Sequence, residues 1–161
     1  GFHHRFFRRR PFSRKLRQFL EPPVRCGGYE LPVRASAPNG QILSYPVITS
    51  GSFAHHDSIK NLLGEQYELE KANQSLENFV TKDTPPTFVW HTQPDDCVPV
   101  ENALMLVSAL QKNGIKTEFH MFPEGGHGLS LCNEVTSNSD AQFLPHVGKW
   151  FDLAAEFLQS L

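Results

Sequence analysis

Three short apolar runs, rich in β-branched and aromatic residues, stand out in the second part of the chain. They cover residues 42–48, 86–91 and 116–122. Runs of this length and composition, flanked by polar or turn-forming residues, are typical of buried strands. Between and after them, apolar residues recur at the spacing of a helix that packs on one face. The predicted helices cover residues 57–70, 75–80, 100–113 and 142–161.

Several of the predicted helices carry signals for their ends and their buried faces. Pro99 suits the first turn of the third helix and the pair Asn113–Gly114 suits its end, while Ser75 is a candidate N-cap and Gly64 a break. The expected buried face of the third helix is Ala103, Leu104, Val107 and Leu110. The expected buried face of the last helix is Trp150, Phe151, Leu153, Ala154, Phe157 and Leu158.

The alternation of strands and helices predicts an α/β fold with a doubly wound parallel sheet. Parallel neighbours must be joined by a crossover, and a helix between successive strands supplies one. In such sheets, binding and chemistry concentrate beyond the carboxyl ends of the strands. The residues that follow each predicted strand are therefore the first place to look for a site, and the expected sheet order runs from the first strand to the third.

A carboxylate and a histidine follow two successive strands. Asp95 lies four residues after His91, and His127 lies in the glycine-rich run 123–128 after the next strand. An acid that orients an imidazole, and an imidazole that takes a proton from a nucleophile, form two thirds of a catalytic triad. The sequence therefore predicts Asp95 as the acid and His127 as the base, within hydrogen-bond distance. His91 is interpreted as a packing residue that shapes the Asp95 turn.

Four segments carry a resemblance to a known family: "ILSYPVITSG", "FAHHDSIKNLLG", "HTQPDDCVPVEN" and "FPEGGHGLSL". Together they resemble the acetyl-esterase branch of the α/β-hydrolase serine esterases, which is related to acetylxylan esterases and, more distantly, to the peptidase domain of prolyl oligopeptidases. The likeness covers about three quarters of the chain. It implies that residues 37–161 form the C-terminal part of an α/β-hydrolase domain, and that Asp95 rather than Asp96 is the acid.

The resemblance also implies an activity and a mechanism. The expected activity is hydrolysis of a carboxylic ester, with a short acyl ester such as acetyl on a sugar or xylo-oligosaccharide as substrate. No metal and no other cofactor is implied. A prolyl-oligopeptidase-type peptidase is the alternative within serine hydrolases, and a non-catalytic remnant or binding module is the alternative outside them. The oligomeric state stays open.

Two other groups of residues have competing interpretations. His55, His56, Asp57 and Cys97 invite a comparison with metal ligands, but they lack the i,i+4 and C-x-x-C spacings of known metal motifs, so a metal site is not expected. Segment 52–70 lies where this fold inserts a cap over its site. Phe53 and Leu62 could line an acyl or alcohol pocket there, or could be plain core residues.

The expected nucleophile is missing from the written sequence. The elbow motif G-x-S-x-G should precede the first predicted strand by one helix, but residues 1–11 contain no such motif, and Ser13 and Ser36 lack flanking glycines. Permitted codons for residues 5–12, read one base later, encode G-F-S-A-G-G-H, which has the pattern of the elbow. We therefore interpret residues 1–36 as an irregular basic segment that is translated out of frame.

The charge distribution fits this interpretation. Seven of the fifteen basic residues precede Glu21 and no acidic residue does, whereas the rest of the chain has eight bases and seventeen acids. A basic arm could contact nucleic acid or an anionic lipid surface, but an artefact of reading frame would have no such partner, so neither is expected. Three cysteines without metal spacing, and no apolar stretch long enough to span a membrane, predict a cytoplasmic protein.

Overall fold

The computed structural model describes residues 38–161, and ahead of them only the backbone pairing of two short strands. These strands, β1 (Arg25–Cys26) and β2 (Tyr29–Glu30), pair antiparallel. The remaining residues up to 37, and with them the predicted out-of-frame segment and its missing elbow, lie outside the described residues. Residues 38–161 form one compact unit.

A parallel sheet of three strands runs through this unit in the order β3, β4, β5. The strands are β3 (Gln41–Ser44), β4 (Thr87–Thr92) and β5 (Thr117–Phe122). Leu43 pairs with Val89, and Val89 pairs with Phe119. All six residues of β4 are buried. The parallel direction and the order of the strands confirm the prediction, as do the bounds of β4 and β5 to within one residue.

Strand β3 is shorter than the predicted run 42–48. The N–H of Tyr45 still donates to the carbonyl of Trp90, at 2.9 Å, but Tyr45 has a φ of +36° and Pro46 has no N–H to continue the ladder. Further along, the N–H groups of Ile48 and Thr49 donate to a side chain instead of to a strand. The predicted strand was therefore too long at its carboxyl end.

Helices and 3₁₀ turns connect the strands and close the chain. The α-helices are α1 (His56–Leu63), α2 (Tyr67–Glu70), α3 (Glu101–Lys112), α4 (Pro145–Gly148) and α5 (Trp150–Gln159). The 3₁₀ turns are Gly64–Gln66, Lys71–Asn73, Leu76–Phe79 and Asp140–Gln142.

Three of the predicted helices differ from those in the structure. The first breaks at Gly64, as predicted, because Gly64 has a φ of +53°. The second is a 3₁₀ turn, and Ser75 does not cap it, because the Ser75 hydroxyl accepts a hydrogen bond from the Ser50 N–H instead. The last predicted helix begins at Pro145 instead of residue 142. Proline suits the first turn of a helix, and because it has no N–H it could not donate the hydrogen bond of a helix that began earlier.

Apolar side chains pack on both faces of the sheet. On one face, Trp90 stacks on Trp150 of α5 with ring centroids 5.0 Å apart, and Phe88 and Phe157 lie beside them. On the other face, Val89 packs against α3. The buried residues of α3 are Asn102, Ala103, Leu106 and Leu110.

The predicted helix faces were correct in part. Leu104 is 44% exposed, and Leu106 takes its place in the core, because Leu106 follows Asn102 by one turn and precedes Leu110 by one turn. In α5, the buried stripe is Trp150, Ala154 and Phe157. Phe151 and Leu158 each lie one position beyond this stripe and are exposed.

Two leucines of α3 provide a matched test of this packing. Leu110→Ala should lower the free energy of unfolding by about 2–5 kcal/mol, because it leaves a cavity in a fully buried site. Leu104→Ala makes the same chemical change at an exposed position and should cost less than about 1 kcal/mol. Urea unfolding followed by tryptophan fluorescence measures both. Equal losses would show that α3 packs on the sheet by a different face.

Candidate active site

Asp95 lies in the loop that leaves the carboxyl end of β4. Its side chain is fully buried. Oδ1 accepts hydrogen bonds from the N–H groups of Cys97, at 3.0 Å, and Val98, at 2.9 Å. A carboxylate that folds back onto the next amides in this way forms a tight turn and becomes rigid. Its second oxygen, Oδ2, is left to bind a group from elsewhere in the fold.

His127 supplies that group from the loop after β5. Its Nδ1 lies 2.8 Å from Asp95 Oδ2, so the ring N–H donates to the carboxylate. The His127 side chain is 32% exposed, although Asp95 is buried. No side chain of residues 38–161 makes a hydrogen bond to His127 Nε2. The predicted contact between the two residues is confirmed.

The loop that carries His127 depends on glycine. Gly125 has a φ of +104°, and a Cβ at this position would lie 2.6 Å from Leu129 Cδ1 and 3.0 Å from Leu144 Cδ1. The Thr92 hydroxyl, at the end of β4, donates to the Gly126 carbonyl at 3.3 Å. The end of β4 and the loop that carries His127 are therefore joined by this hydrogen bond as well as by the contact between Asp95 and His127.

His91 lies beneath this pair and is fully buried. Its Nδ1 accepts the Thr92 N–H at 2.9 Å and lies 3.9 Å from Asp95 Oδ2. Burial lowers the pKa of His91 from its ordinary value of 6.5, because the enclosed ring loses the water that would solvate its charged form. His91 is therefore a neutral ring near neutral pH, and its packing below the Asp95 turn agrees with the interpretation made from the sequence.

Two residues that organise the site were missed by the sequence analysis. Tyr45, assigned only to a strand, places its ring edge-on to the imidazole of His127, with centroids 4.7 Å apart. Asn102 is fully buried, and its Oδ1 accepts the N–H groups of Ile48 and Thr49. The only local signals were a tyrosine before a proline at a strand end and a polar residue on an apolar helix face.

Asn102 joins the loop after β3 to the start of α3. Its Nδ2 donates to the carbonyl of Phe53 at 2.8 Å and to that of Pro99 at 3.0 Å. Both ends of the amide are thus satisfied, as burial requires. Because Pro99 continues the turn that Asp95 begins, the segment after β3 is anchored to the loop that carries Asp95.

The residues considered as metal ligands do not assemble into a site. His55 Nε2 and Cys97 Sγ lie 3.5 Å apart, but His56 contacts Tyr67 Oη and Asp57 lies 3.8 Å from Lys60 Nζ. Within residues 38–161, no group of three histidine, cysteine, aspartate or glutamate side chains could hold a metal ion.

Phe53 and Leu62 are not core residues. Both are exposed, at 42% and 41%. The interpretation of these two as plain core residues is therefore wrong. Their role in lining an acyl or alcohol pocket stays a prediction.

Comparisons with known proteins identify the family. The sequence profile of the prolyl oligopeptidase family matches residues 34–153, and the chain belongs to this family. Over 98 residues the chain is 45% identical to endo-1,4-beta-xylanase B of Butyrivibrio fibrisolvens, a match that covers 60% of this chain and 15% of that protein.

Solved structures share the fold. The acetyl ester-xyloside bifunctional hydrolase from Caldicellulosiruptor lactoaceticus is 40% identical with a TM-score of 0.67, and the match covers 78% of this chain and 43% of that one. The carboxylesterase Cest-2923 from Lactobacillus plantarum is 30% identical with a TM-score of 0.63, and the match covers 76% and 44%. The chain therefore spans less than half the length of these relatives. Their likeness confirms a partial α/β-hydrolase fold of the esterase branch.

The described helices are short compared with a membrane span. None of those in residues 38–161 is long and apolar enough to cross a bilayer.

The strain and crowding at Gly125 lead to a prediction about the histidine loop. Gly125→Ala should lower the free energy of unfolding by about 2–4 kcal/mol, because the new methyl group overlaps Leu129 and the backbone has a positive φ. Gly126→Ala is the matched control, since nothing lies within 4 Å of its added Cβ. Its cost should stay within about 0.5 kcal/mol. Chemical denaturation measures both, and a tolerated Gly125→Ala would contradict the described loop.

The lowered pKa of His91 leads to a prediction about pH. The unfolded chain binds the His91 proton at a higher pH than the folded chain does, so stability rises with pH between the two pKa values. This contribution is complete above about pH 6.5 and is lost as the pH falls toward the lower, folded pKa. Urea unfolding from about pH 7.5 down to about pH 5 should show the loss in the unmodified chain.

A variant separates His91 from the other histidines. His91→Gln should flatten this part of the pH profile, whereas His56→Gln, at an exposed position, should leave its slope unchanged. A His91→Gln profile as steep as that of the unmodified chain would mean that another group causes the dependence.

Proposed function

We propose that the protein contributes the acid and the base of a Ser–His–Asp triad that hydrolyses carboxylic esters. The observation that carries the proposal is the 2.8 Å contact between His127 Nδ1 and Asp95 Oδ2. Oδ1 of Asp95 accepts hydrogen bonds from two backbone amides, and these fix the orientation of the carboxylate. Oδ2 is therefore held in a fixed position to bind the imidazole. This arrangement sets the tautomer in which His127 Nε2 can act as a base.

The reaction would proceed through an acyl-enzyme. A serine Oγ attacks the ester carbonyl carbon while His127 Nε2 takes the serine proton, and backbone N–H groups bind the resulting oxyanion. Collapse of the tetrahedral intermediate releases the alcohol, which takes that proton from His127. In the second half, His127 Nε2 takes a proton from water as the water oxygen attacks the carbonyl carbon of the acyl-serine. The bond from that carbon to the serine Oγ then breaks, His127 returns the proton to the serine, and the carboxylic acid leaves. Asp95 holds the ring and stabilises the imidazolium in both halves of the reaction.

The proposed substrate is a short acyl ester, such as acetyl on a sugar or a xylo-oligosaccharide. Supporting it are the likeness to a hydrolase named for acetyl esters and xylosides and the likeness to a xylanase. The name of the carboxylesterase relative supports the broader class of carboxylic esters. A cytoplasmic location and the absence of a nucleic-acid partner are part of the same proposal.

The alternative activity is that of a prolyl-oligopeptidase-type serine peptidase. The match to the family profile favours this activity, because the family is described as one of peptidases. A non-catalytic remnant or binding module is the alternative outside catalysis. Acetyl-ester against proline-peptide substrates separates the first two activities, and a fluorophosphonate probe that labels active serines separates both from the third.

We further propose that the chain as written turns over no ester, because its first 36 residues are out of frame and lack the nucleophile elbow. A base without a nucleophile to activate retains only weak general-base catalysis through water. Triad members act as a unit, and losing the nucleophile of subtilisin costs on the order of 10⁶ in rate. Resequencing the DNA behind residues 1–40 tests the frame directly.

The corresponding experiment compares two proteins. The 161-residue chain should neither hydrolyse p-nitrophenyl acetate nor react with the serine probe. A protein in which an upstream half with an in-frame elbow precedes residue 38 should do both. In that protein, Asp95→Asn should lower kcat by on the order of 10⁴, as the equivalent change does in a serine protease. Hydrolysis by the 161-residue chain that depends on His127 would overturn the account of the missing nucleophile.

A further inference from the structure

Tyr45 has an unfavourable backbone conformation at the end of β3. Its φ is +36°, a region that bulky side chains rarely enter. Pro46 follows it, and a proline restricts the preceding residue to extended conformations. An aromatic residue with positive φ directly before proline needs contacts elsewhere to offset its cost, and such strain concentrates at functional sites.

Contacts with β4 fix the Tyr45 backbone and ring. The N–H donates to the carbonyl of Trp90 at 2.9 Å. The ring meets that of Trp90 edge-on, with centroids 5.0 Å apart and an interplanar angle of 82°. Trp90 is itself fully buried and stacks on Trp150. The Tyr45 ring therefore has a rigid support in the core.

The same ring touches the imidazole of His127. The two centroids are 4.7 Å apart and the interplanar angle is 66°, a favourable edge-to-face geometry. The hydroxyl of Tyr45 lies 3.4 Å from the N–H of Ser130, further along the histidine loop. Asp95 holds His127 through one hydrogen bond at Nδ1, and rotation about the side-chain bonds of His127 would break it. The contact with Tyr45 limits this motion.

We infer that Tyr45 is a positioning residue that keeps His127 in the tautomer and orientation set by Asp95. It acts through His127 and not on the reacting atoms, and the inference rests on the proposed role of His127 as the base. The positive φ of Tyr45 departs from the conformation of a regular strand, whose side chains stand roughly perpendicular to the sheet. The aromatic ring makes the contact with His127, whereas the hydroxyl accepts a hydrogen bond from the Ser130 N–H.

Histidine-selective ¹⁵N NMR on the intact 161-residue chain tests this inference without substrate. Long-range ¹H–¹⁵N correlations report which imidazole nitrogen carries the proton, and His127→Gln assigns the signal. The unmodified chain should show His127 as the Nδ1–H tautomer, and Tyr45→Phe should keep it. Tyr45→Leu should lose the preference and give a mixture of tautomers. Tyr67→Leu is the control, because Tyr67 is hydrogen-bonded to His56 and is distant in sequence from Tyr45 and His127. It should have no effect on the His127 tautomer.

Several outcomes would overturn the inference. One is a folded Tyr45→Leu variant with an unchanged His127 tautomer, and another is a loss of the tautomer in Tyr45→Phe. If Tyr45→Leu does not fold, nuclear Overhauser effects between the Tyr45 and His127 rings in the unmodified chain decide the matter, and their absence refutes the contact. Failure of ester hydrolysis would leave these spectra unchanged, so it bears on the proposed function alone.

Discussion

The pairing of β4 with a parallel strand on each side is the constraint on which the rest of the described structure depends. Its six residues are all buried, and its side chains alternate between two separate apolar clusters. Because every backbone group of a central strand is paired, its end is one of the best fixed points in a fold. Asp95 begins its turn three residues after this end, and Gln93 still donates to the Phe122 carbonyl of β5. Asp95 and His127 are therefore positioned by the same two strands.

Much of the fold, and the contact between Asp95 and His127, could be predicted from the sequence. Strands and helices leave local patterns, and Asp95 and His127 each follow a strand at a place where parallel sheets collect chemistry. Predicting the order of the strands required only the assumption that successive strands are neighbours in the sheet, which is the usual case. These predictions needed no knowledge of contacts between distant residues.

Several of the errors involve such contacts. Pro46 lies inside an apolar run, but the end of β3 is set by the strained Tyr45, whose conformation is held by Trp90. Ser75 reads as a helix cap, but its hydroxyl is occupied by the loop after β3. Asn102 was not singled out in the sequence, and it is buried because four backbone groups, from a distant loop and from its own turn, complete its hydrogen bonds. Local periodicity carries no information about these partners.

Asp95 and His127 come from a single contiguous β–α–β unit, formed by β4, α3 and β5. Only one helix and its flanking loops separate the two strands along the chain, so bringing them together costs little loop-closure entropy. The contact between Asp95 and His127 is therefore a contact within one unit of the chain. Sequence changes ahead of Thr87 therefore leave this whole unit unaltered in sequence, with Asp95, His127 and the helix between their strands.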